Sequence, residues 1–357
     1  MAMSTDARPI ALWVIPVADL GGVARHVLDV FNVGMKDYRL VLFCPEGLLA
    51  ERVRAMGGAV IAADFGPDFG YVKSLRSLDA TIRALKPAIV HSHLAYADFI
   101  AAAVVMRYPR VSLVSTEHGI AGDDEIYHSN TVKAGVRATL HHARLRRNDA
   151  LIAVSESTKN EMRKKWKVSN DIHVIPNGVD RVDFEPLVRT ESLRVLSLSR
   201  LAPEKRIDQL ILAFKQLHDE RPDATLTIAG TGPEKDNLQR LVDREGLASF
   251  VEFPGFVDAD MAMKEHEVLV QLSSWENCSY TLLDAVNNGL GVVATPVGGN
   301  PEILDKKFLA GADDPQRISD LISGQAIHLE KRPRLALSWP SKASMTAKIE
   351  EVYSVVL

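Results

Sequence analysis

Short apolar runs alternate with stretches of helical period from one end of the chain to the other. Residues 10–17 form a continuous apolar run, followed by Gly21 and Gly22 and then by Val23, Val27, Val30 and Phe31 on one helix face. Further runs fall at residues 39–44, 59–63, 88–91, 112–116, 150–154 and 172–175. Each is short and apolar on both sides, as parallel strands covered by helices must be. Pro176-Asn177-Gly178 punctuates the last run, and residues 179–190 read as a linker. A second series repeats the logic at residues 193–199, 224–229, 251–253, 268–272 and 291–295. The stripe Ile207, Leu210, Ile211, Phe214 and Leu217 marks the helix after its first run. Two consecutive doubly wound α/β domains are the expected solution, at residues 1–185 and 186–338. Ligands of such sheets bind at the carboxyl ends of strands, which predicts a site in the cleft between the domains. Near the chain end, Ile349, Val352, Tyr353 and Val356 form one apolar stripe, so residues 339–357 are expected to cover the first domain.

A chain of 357 residues suits two such domains. Its 46% hydrophobic and 25% charged residues are those of a soluble globular protein. The longest apolar run, residues 99–106, is far short of the roughly 20 residues that span a bilayer, and no secretory signal is legible. Cys44 and Cys278 are the only cysteines, which excludes a disulfide framework or a cysteine zinc site and points to the cytosol. The net charge of −4 divides unevenly: 23 basic against 21 acidic residues up to position 185, and 19 against 25 beyond it. Ten basic residues against three acidic ones concentrate at residues 131–167. A patch this local argues against nucleic acid. It reads either as a surface for anionic membrane or as the solvated face of two helices.

The candidate chemistry sits where strands end. Arg200 and Lys205, in SLSRLAPEKR, leave a strand and open a helix. Positive charge at a helix N-terminus opposes the helix dipole, a conflict that an anionic ligand resolves. A guanidinium and an ammonium there can neutralise a diphosphate. Glu276 and Asp284 lie on either side of the strand-to-helix turn after residues 268–272, with a helix expected from Ser279 or Tyr280, and Gly298-Gly299 follows one strand later. Two acids beside two cations suit a ligand rich in hydroxyls and phosphates. Gly22 lets backbone approach a phosphate at the first strand end, although a bare Gly-Gly does not argue for a dinucleotide. His91, His93 and His118 lie at first-domain strand ends. No acid or cysteine stands at zinc spacing from His91 and His93, so no metal is assigned; one of that pair is structural, and His118 is the better contact for a sugar. His141-His142 reads as a solvated face.

In their order, the segments GGVARHV, AIVHSH, VSTEHG, AVSEST, VIPNGVD, SRLAPEKRIDQLI, IAGTGP, FPGFV and WENCSYTLLDAVNNGLGVVATPVGGNPEIL resemble the retaining glycosyltransferases of family 4, over nearly the whole chain. The resemblance implies the GT-B fold, two Rossmann-like domains facing across a cleft, with a terminal helix returning to the first. It maps the family's two-acid motif onto Glu276, which would hold hydroxyls of the donor sugar, and Asp284, which would hold the ribose. The second acid is shorter by one methylene than the family's glutamate. Asn277, Cys278, Ser279, Tyr280 and Thr281 would offer backbone N–H groups to sugar and phosphate, although Asn-Cys-Ser replaces the usual glycines and phenylalanine. Arg200 and Lys205 match the diphosphate pair, Gly22 the phosphate-facing glycine, His118 the histidine near the transferred sugar, and Phe256 and Val257 the loop beside the base.

The resemblance thus implies hexose-type transfer from a nucleotide diphosphate sugar to an acceptor hydroxyl, with uridine diphosphate ranked ahead of guanosine diphosphate. The anomeric configuration would be kept and no metal or other cofactor required. Its nearest pattern, that of bacterial polysaccharide assembly, implies a lipid-linked saccharide acceptor and a place on the inner face of the cytoplasmic membrane. Two alternatives stay open: a sugar-nucleotide epimerase of the same fold, and a silent sugar-nucleotide-binding protein.

Overall fold

The computed structural model describes residues 7–119, 141–142, 144–182 and 193–357. Two compact units account for the chain: Met1–Asp180 together with Pro340–Leu357, and Arg181–Trp339.

The first unit runs β1 Ile10–Val14, α1 Gly22–Val33, β2 Arg39–Cys44, α2 Leu48–Ala55, β3 Ala59–Ala62, α3 Gly70–Leu85, β4 Ile89–His93, α4 Ala95–Val105, β5 Ser112–Glu117, β6 Ala150–Ala153, α5 Glu156–Trp166 and β7 Ile172–Val174. Its seven strands are parallel in the order β3-β2-β1-β4-β5-β6-β7. Period-two alternation sorts the side chains of β1: Ala11 and Trp13 join one core layer, Leu12 and Val14 the other. Both layers are fully buried, which is why β1 reads as unbroken apolar sequence.

The second unit runs β8 Arg194–Leu198, α6 Ile207–Glu220, β9 Thr225–Ala229, α7 Lys235–Arg244, β10 Val251–Gly255, α8 Ala259–Glu265, β11 Val268–Gln271, α9 Tyr280–Asn287, β12 Gly291–Ala294, α10 Asn300–Ile303 and α11 Pro315–Ile327. Its five parallel strands lie in the order β10-β9-β8-β11-β12. The stripe on α6 is buried against this sheet, with Ile211, Phe214 and Leu217 inaccessible.

Strand order reverses once in each sheet, between β1 and β4 and between β8 and β11. Connections leave such a point toward opposite faces and open a crevice at the carboxyl ends of the strands.

The terminal helix α12, Lys342–Val356, belongs to the first unit. Met345, Ile349, Val352 and Tyr353 enter its core, at roughly 1.5–3 kcal/mol for each large apolar side chain. Tyr353 Oη accepts from Trp13 Nε1 at 2.8 Å and lies 2.6 Å from His91 Nδ1. Lys342 Nζ pairs with Asp29 at 2.8 Å.

Within the basic stretch at residues 131–167, Arg146, Arg163, Lys164 and Lys167 are exposed, as a solvated face would be, and Arg144 is not. Lys133 and Arg137 lie outside the described residues. The Arg144 side chain is fully buried, paired with Glu117 at 2.8 Å and with Asp98, its guanidinium carbon 5.4 Å from the Phe99 ring centre and 5.2 Å from that of Trp166. Two carboxylates and two aromatic faces draw this arginine inward. His141 and His142 are not a solvated face either: His141 stacks on Trp166 at 4.4 Å, and His142 Nδ1 bonds Trp166 O at 3.0 Å. Among the described residues no helix is long and apolar enough to cross a membrane.

Candidate functional site

The turn leaving β8 is clamped by its neighbour. Ser199 N donates to Ala229 O at 3.1 Å, Leu201 N to Thr231 O at 2.9 Å, and Glu234 N to Leu201 O at 3.0 Å. Glycine is required on the facing segment: a Cβ at Gly230 would stand 1.9 Å from Ser199 O, and one at Gly232 would stand 2.2 Å from Leu201 O. On this turn Arg200 Nη2 donates to Glu204, whose carboxylate is 1% exposed while the arginine is 64% exposed. Lys205 follows at the end of a single 3-10 turn.

The turn leaving β11 brings the acid. Ser273 is buried, its carbonyl accepting from Thr295 Oγ1 at 2.6 Å and its hydroxyl donating to Glu276 Oε1 at 2.8 Å. Lys205 Nζ donates to the same Glu276 oxygen at 2.5 Å. The two turns are also stitched by backbone, since Ser274 N donates to Glu204 O at 2.7 Å. Gly298 adopts φ +53, and a Cβ there would sit 1.5 Å from Glu276 O. The Gly298 backbone therefore packs directly on the backbone of Glu276, which only glycine permits.

This arrangement stands at the β8/β11 reversal, the crevice where a doubly wound sheet takes its ligand. Lys205 and Glu276 meet there, with Arg200 on the same turn as Lys205 and bonded to Glu204. Ser279 caps α9 by accepting from Leu282 N at 3.3 Å and also donates to Gln271 Oε1 at 2.9 Å. Asp284 is the fifth residue of α9 and half-buried; Asn277 and Tyr280 are buried, Cys278 and Thr281 half-buried. Phe256 and Val257 follow β10, two strands from β8, with Phe256 81% exposed.

In the first unit, Gly22 opens α1, and a Cβ added there would meet no atom within 4 Å, leaving space for a ligand. His91 is the structural histidine of its pair: Tyr353 Oη at 2.6 Å and Thr116 Oγ1 at 2.7 Å occupy both ring nitrogens. His93 Nδ1 lies 2.9 Å from His118 Nε2. Burial drives His93 and His118 well below the usual imidazole range, helped by neighbouring imidazoles, and lowers His26 to about 4 against the opposing effect of its hydrogen bond to Asn177 Oδ1. All three rings are neutral at pH 7.

Glu204, Ser273, His26 and Asn177 escaped the sequence reading. Glu204 looks like an ordinary acid in a first helical turn, and His26 like the polar side of an amphipathic helix. The signal available for His26 was its place four residues after Gly22.

The family model described as "Glycosyl transferases group 1" matches residues 179–334, and "Glycosyltransferase Family 4" matches residues 20–182. In Streptococcus gordonii, the GtfA component of a UDP-N-acetylglucosamine–peptide N-acetylglucosaminyltransferase is 30% identical over 163 residues, 44% of this chain and 32% of that protein. The chain thus aligns with about a third of that relative's length. In Arabidopsis thaliana, a component of the phosphatidylinositol N-acetylglucosaminyltransferase is 26% identical over 379 aligned residues, 95% of this chain and 82% of that protein. Among solved structures, Anabaena HepE in complex with UDP and glucose superposes with a TM-score of 0.80 at 21% identity, covering 97% of this chain and all of the other. That likeness shows a common fold, GT-B.

Proposed function

We propose that this chain, which belongs to the family 4 glycosyltransferases, moves a hexose-type sugar from a uridine diphosphate sugar to an acceptor hydroxyl with the anomeric configuration kept. The observation that carries the reading is the meeting of Lys205 and Glu276 at 2.5 Å at the β8/β11 reversal, with Arg200 on the same turn as Lys205.

The hard step is departure of the diphosphate from the anomeric carbon. Arg200 and Lys205 take up the negative charge that grows on the leaving oxygen, a kind of contribution worth about 3–4 kcal/mol per preorganised donor. Glu276 orients the sugar through its hydroxyls and acts by position rather than by proton transfer. The acceptor oxygen bonds to the anomeric carbon on the face from which the diphosphate leaves. Its proton passes to a phosphate oxygen of the departing group, so no carboxylate nucleophile is needed. Because side chains neutralise the diphosphate, the reaction calls for no divalent ion there. Asp284 holds the ribose, Asn277 to Thr281 supply N–H groups, and Phe256 with Val257 borders the base. On the first unit, Gly22 and His118 keep the phosphate and sugar roles that the family pattern gives them.

Both relatives are named for N-acetylglucosamine transfer, one from its UDP form to a peptide and one to phosphatidylinositol, which makes UDP-N-acetylglucosamine the first donor to test; a lipid-linked saccharide is the acceptor that the family pattern favours. The test is incubation with a panel of nucleotide sugars and lipid-linked or free saccharides, reading diphosphate release and the anomeric proton of the product. Release of UDP with an α-linked product from an α-linked donor supports the reading. An epimerised donor without release, or binding without turnover, contradicts it.

A further inference from the structure

Three imidazoles converge in the first unit from three separate elements. His26 comes from α1, His93 ends β4, and His118 follows β5. One ring nitrogen of each lies within 4.8 Å of the other two. They gather at the β1/β4 reversal of strand order, the crevice of this sheet. His26 and His93 are almost wholly buried, His118 half-buried.

Their unmet valences are specific. His26 Nδ1 lies 3.3 Å from Asn177 Oδ1, and an N–H donated to that oxygen leaves Nε2 with a bare lone pair. Among the described residues, His26 Nε2 and His93 Nε2 are buried with no hydrogen-bond partner. A buried polar atom left unsatisfied costs about 1–3 kcal/mol, and two together call for an occupant. Trp13 packs 5.8 Å from His26 and 4.5 Å from His93, and its indole N–H is spent on Tyr353.

We propose that His26, His93 and His118 form a binding site for one zinc-class divalent cation, held by three neutral imidazoles with a further coordination position open on the His118 side. Three nitrogen donors suit zinc, cobalt, nickel or copper and not magnesium or calcium. Bonds of about 2 Å require the rings to close by roughly 1 Å from their present spacing. The Asn177 amide fixes the orientation of the His26 ring, as hydrogen-bonded partners of metal-binding histidines do. The cation is no part of the diphosphate chemistry assigned to Arg200 and Lys205. If His118 contacts the transferred sugar, an inference that rests on the proposed function, the cation competes for that histidine and inhibits transfer.

The test uses untagged, metal-stripped protein titrated with cobalt by visible absorption and with zinc by calorimetry, neither of which needs a substrate. One saturating equivalent in the micromolar range, with the intense visible bands of four-coordinate cobalt, is expected. His26→Gln and His93→Gln, each checked for folding by circular dichroism, should each weaken binding at least tenfold. X-ray absorption of the zinc-loaded native chain covers the case in which the variants fail to fold: scattering from three imidazoles is expected. An oxygen-only shell, no saturable binding, or binding untouched by both substitutions overturns the site. Zinc inhibition reversed by a chelator supports the competition with sugar. A chain that turns over no donor at all refutes the transferase reading and leaves the metal result standing on its own spectra.

Discussion

Lys205 Nζ donates to Glu276 Oε1 at 2.5 Å across 71 residues of sequence, from one strand end to the next across the reversal of strand order. Neither side chain is free to wander, because Ser273 Oγ holds the same carboxylate oxygen at 2.8 Å and Glu204 ties the lysine turn to Ser274. The pair is a site held ready, its cation and acid already oriented before any ligand arrives.

Glu204 should matter although it is not expected to touch substrate. Its buried carboxylate holds the largely exposed Arg200. Glu204→Gln keeps the shape and removes the charge that anchors the guanidinium. Steady-state kinetics should show kcat/KM lower by about tenfold, a loss of about 1.4 kcal/mol, with the fold intact by circular dichroism. Unchanged kinetics would mean that Arg200 is positioned by something else.

Gly298→Ala should damage both stability and activity. The new methyl would stand 1.5 Å from Glu276 O in a backbone with φ +53, a conformation that costs a non-glycine residue roughly 1 kcal/mol before any clash. Relief requires the Glu276 turn to move, and turnover should fall by at least about a hundredfold because displacement of about 1 Å costs that much. A urea midpoint and a rate equal to those of the native chain would refute the close packing.

Tyr353→Phe removes one oxygen and strands two buried groups, Trp13 Nε1 and His91 Nδ1. At about 1–3 kcal/mol for each orphan, the variant should unfold at visibly lower urea concentration while its apolar packing is kept. An unaltered midpoint would show that neither hydrogen bond anchors α12.

Acid should destabilise the metal-free protein through its histidines. Burial holds His26 at about 4 and His91, His93 and His118 well below the ordinary 6.5. Below 6.5 the unfolded chain therefore binds protons that the folded chain refuses. The stability these rings contribute is whole above pH 6.5 and is lost as pH falls from there toward 4. Calorimetric unfolding near about pH 5.5 should take up protons, and the melting temperature should drop between about pH 7.5 and about pH 5.5. No proton uptake would contradict the buried neutral rings.

The strand and helix order was legible because buried parallel strands leave unbroken apolar runs that end at glycine or at charge. Residues 39–44 form β2 as read, and the runs at 268–272 and 291–295 end one residue early as strands. Arg200 and Lys205 were legible because cations at a helix start contradict local preference. Glu204 was not: its burial depends on Arg200 and Ser274, a tertiary fact with no local signature. Arg144 misled in the opposite sense. Among neighbouring basic residues it reads as solvated, whereas Glu117 and Asp98, distant in sequence, pull it into the core. His26 and Asn177 meet across 151 residues, beyond any periodicity.

The most direct measurement is UDP release from UDP-N-acetylglucosamine, or from whichever panel donor is active, by the native chain, Lys205→Ala, Glu276→Ala and the double variant. Each single variant should lose at least about a hundredfold in kcat, in line with roughly 3 kcal/mol per catalytic contact. The double variant should lose much less than the product of the two, because the residues act as one unit. Near-native release by both single variants would contradict the assignment of Lys205 and Glu276 to the donor.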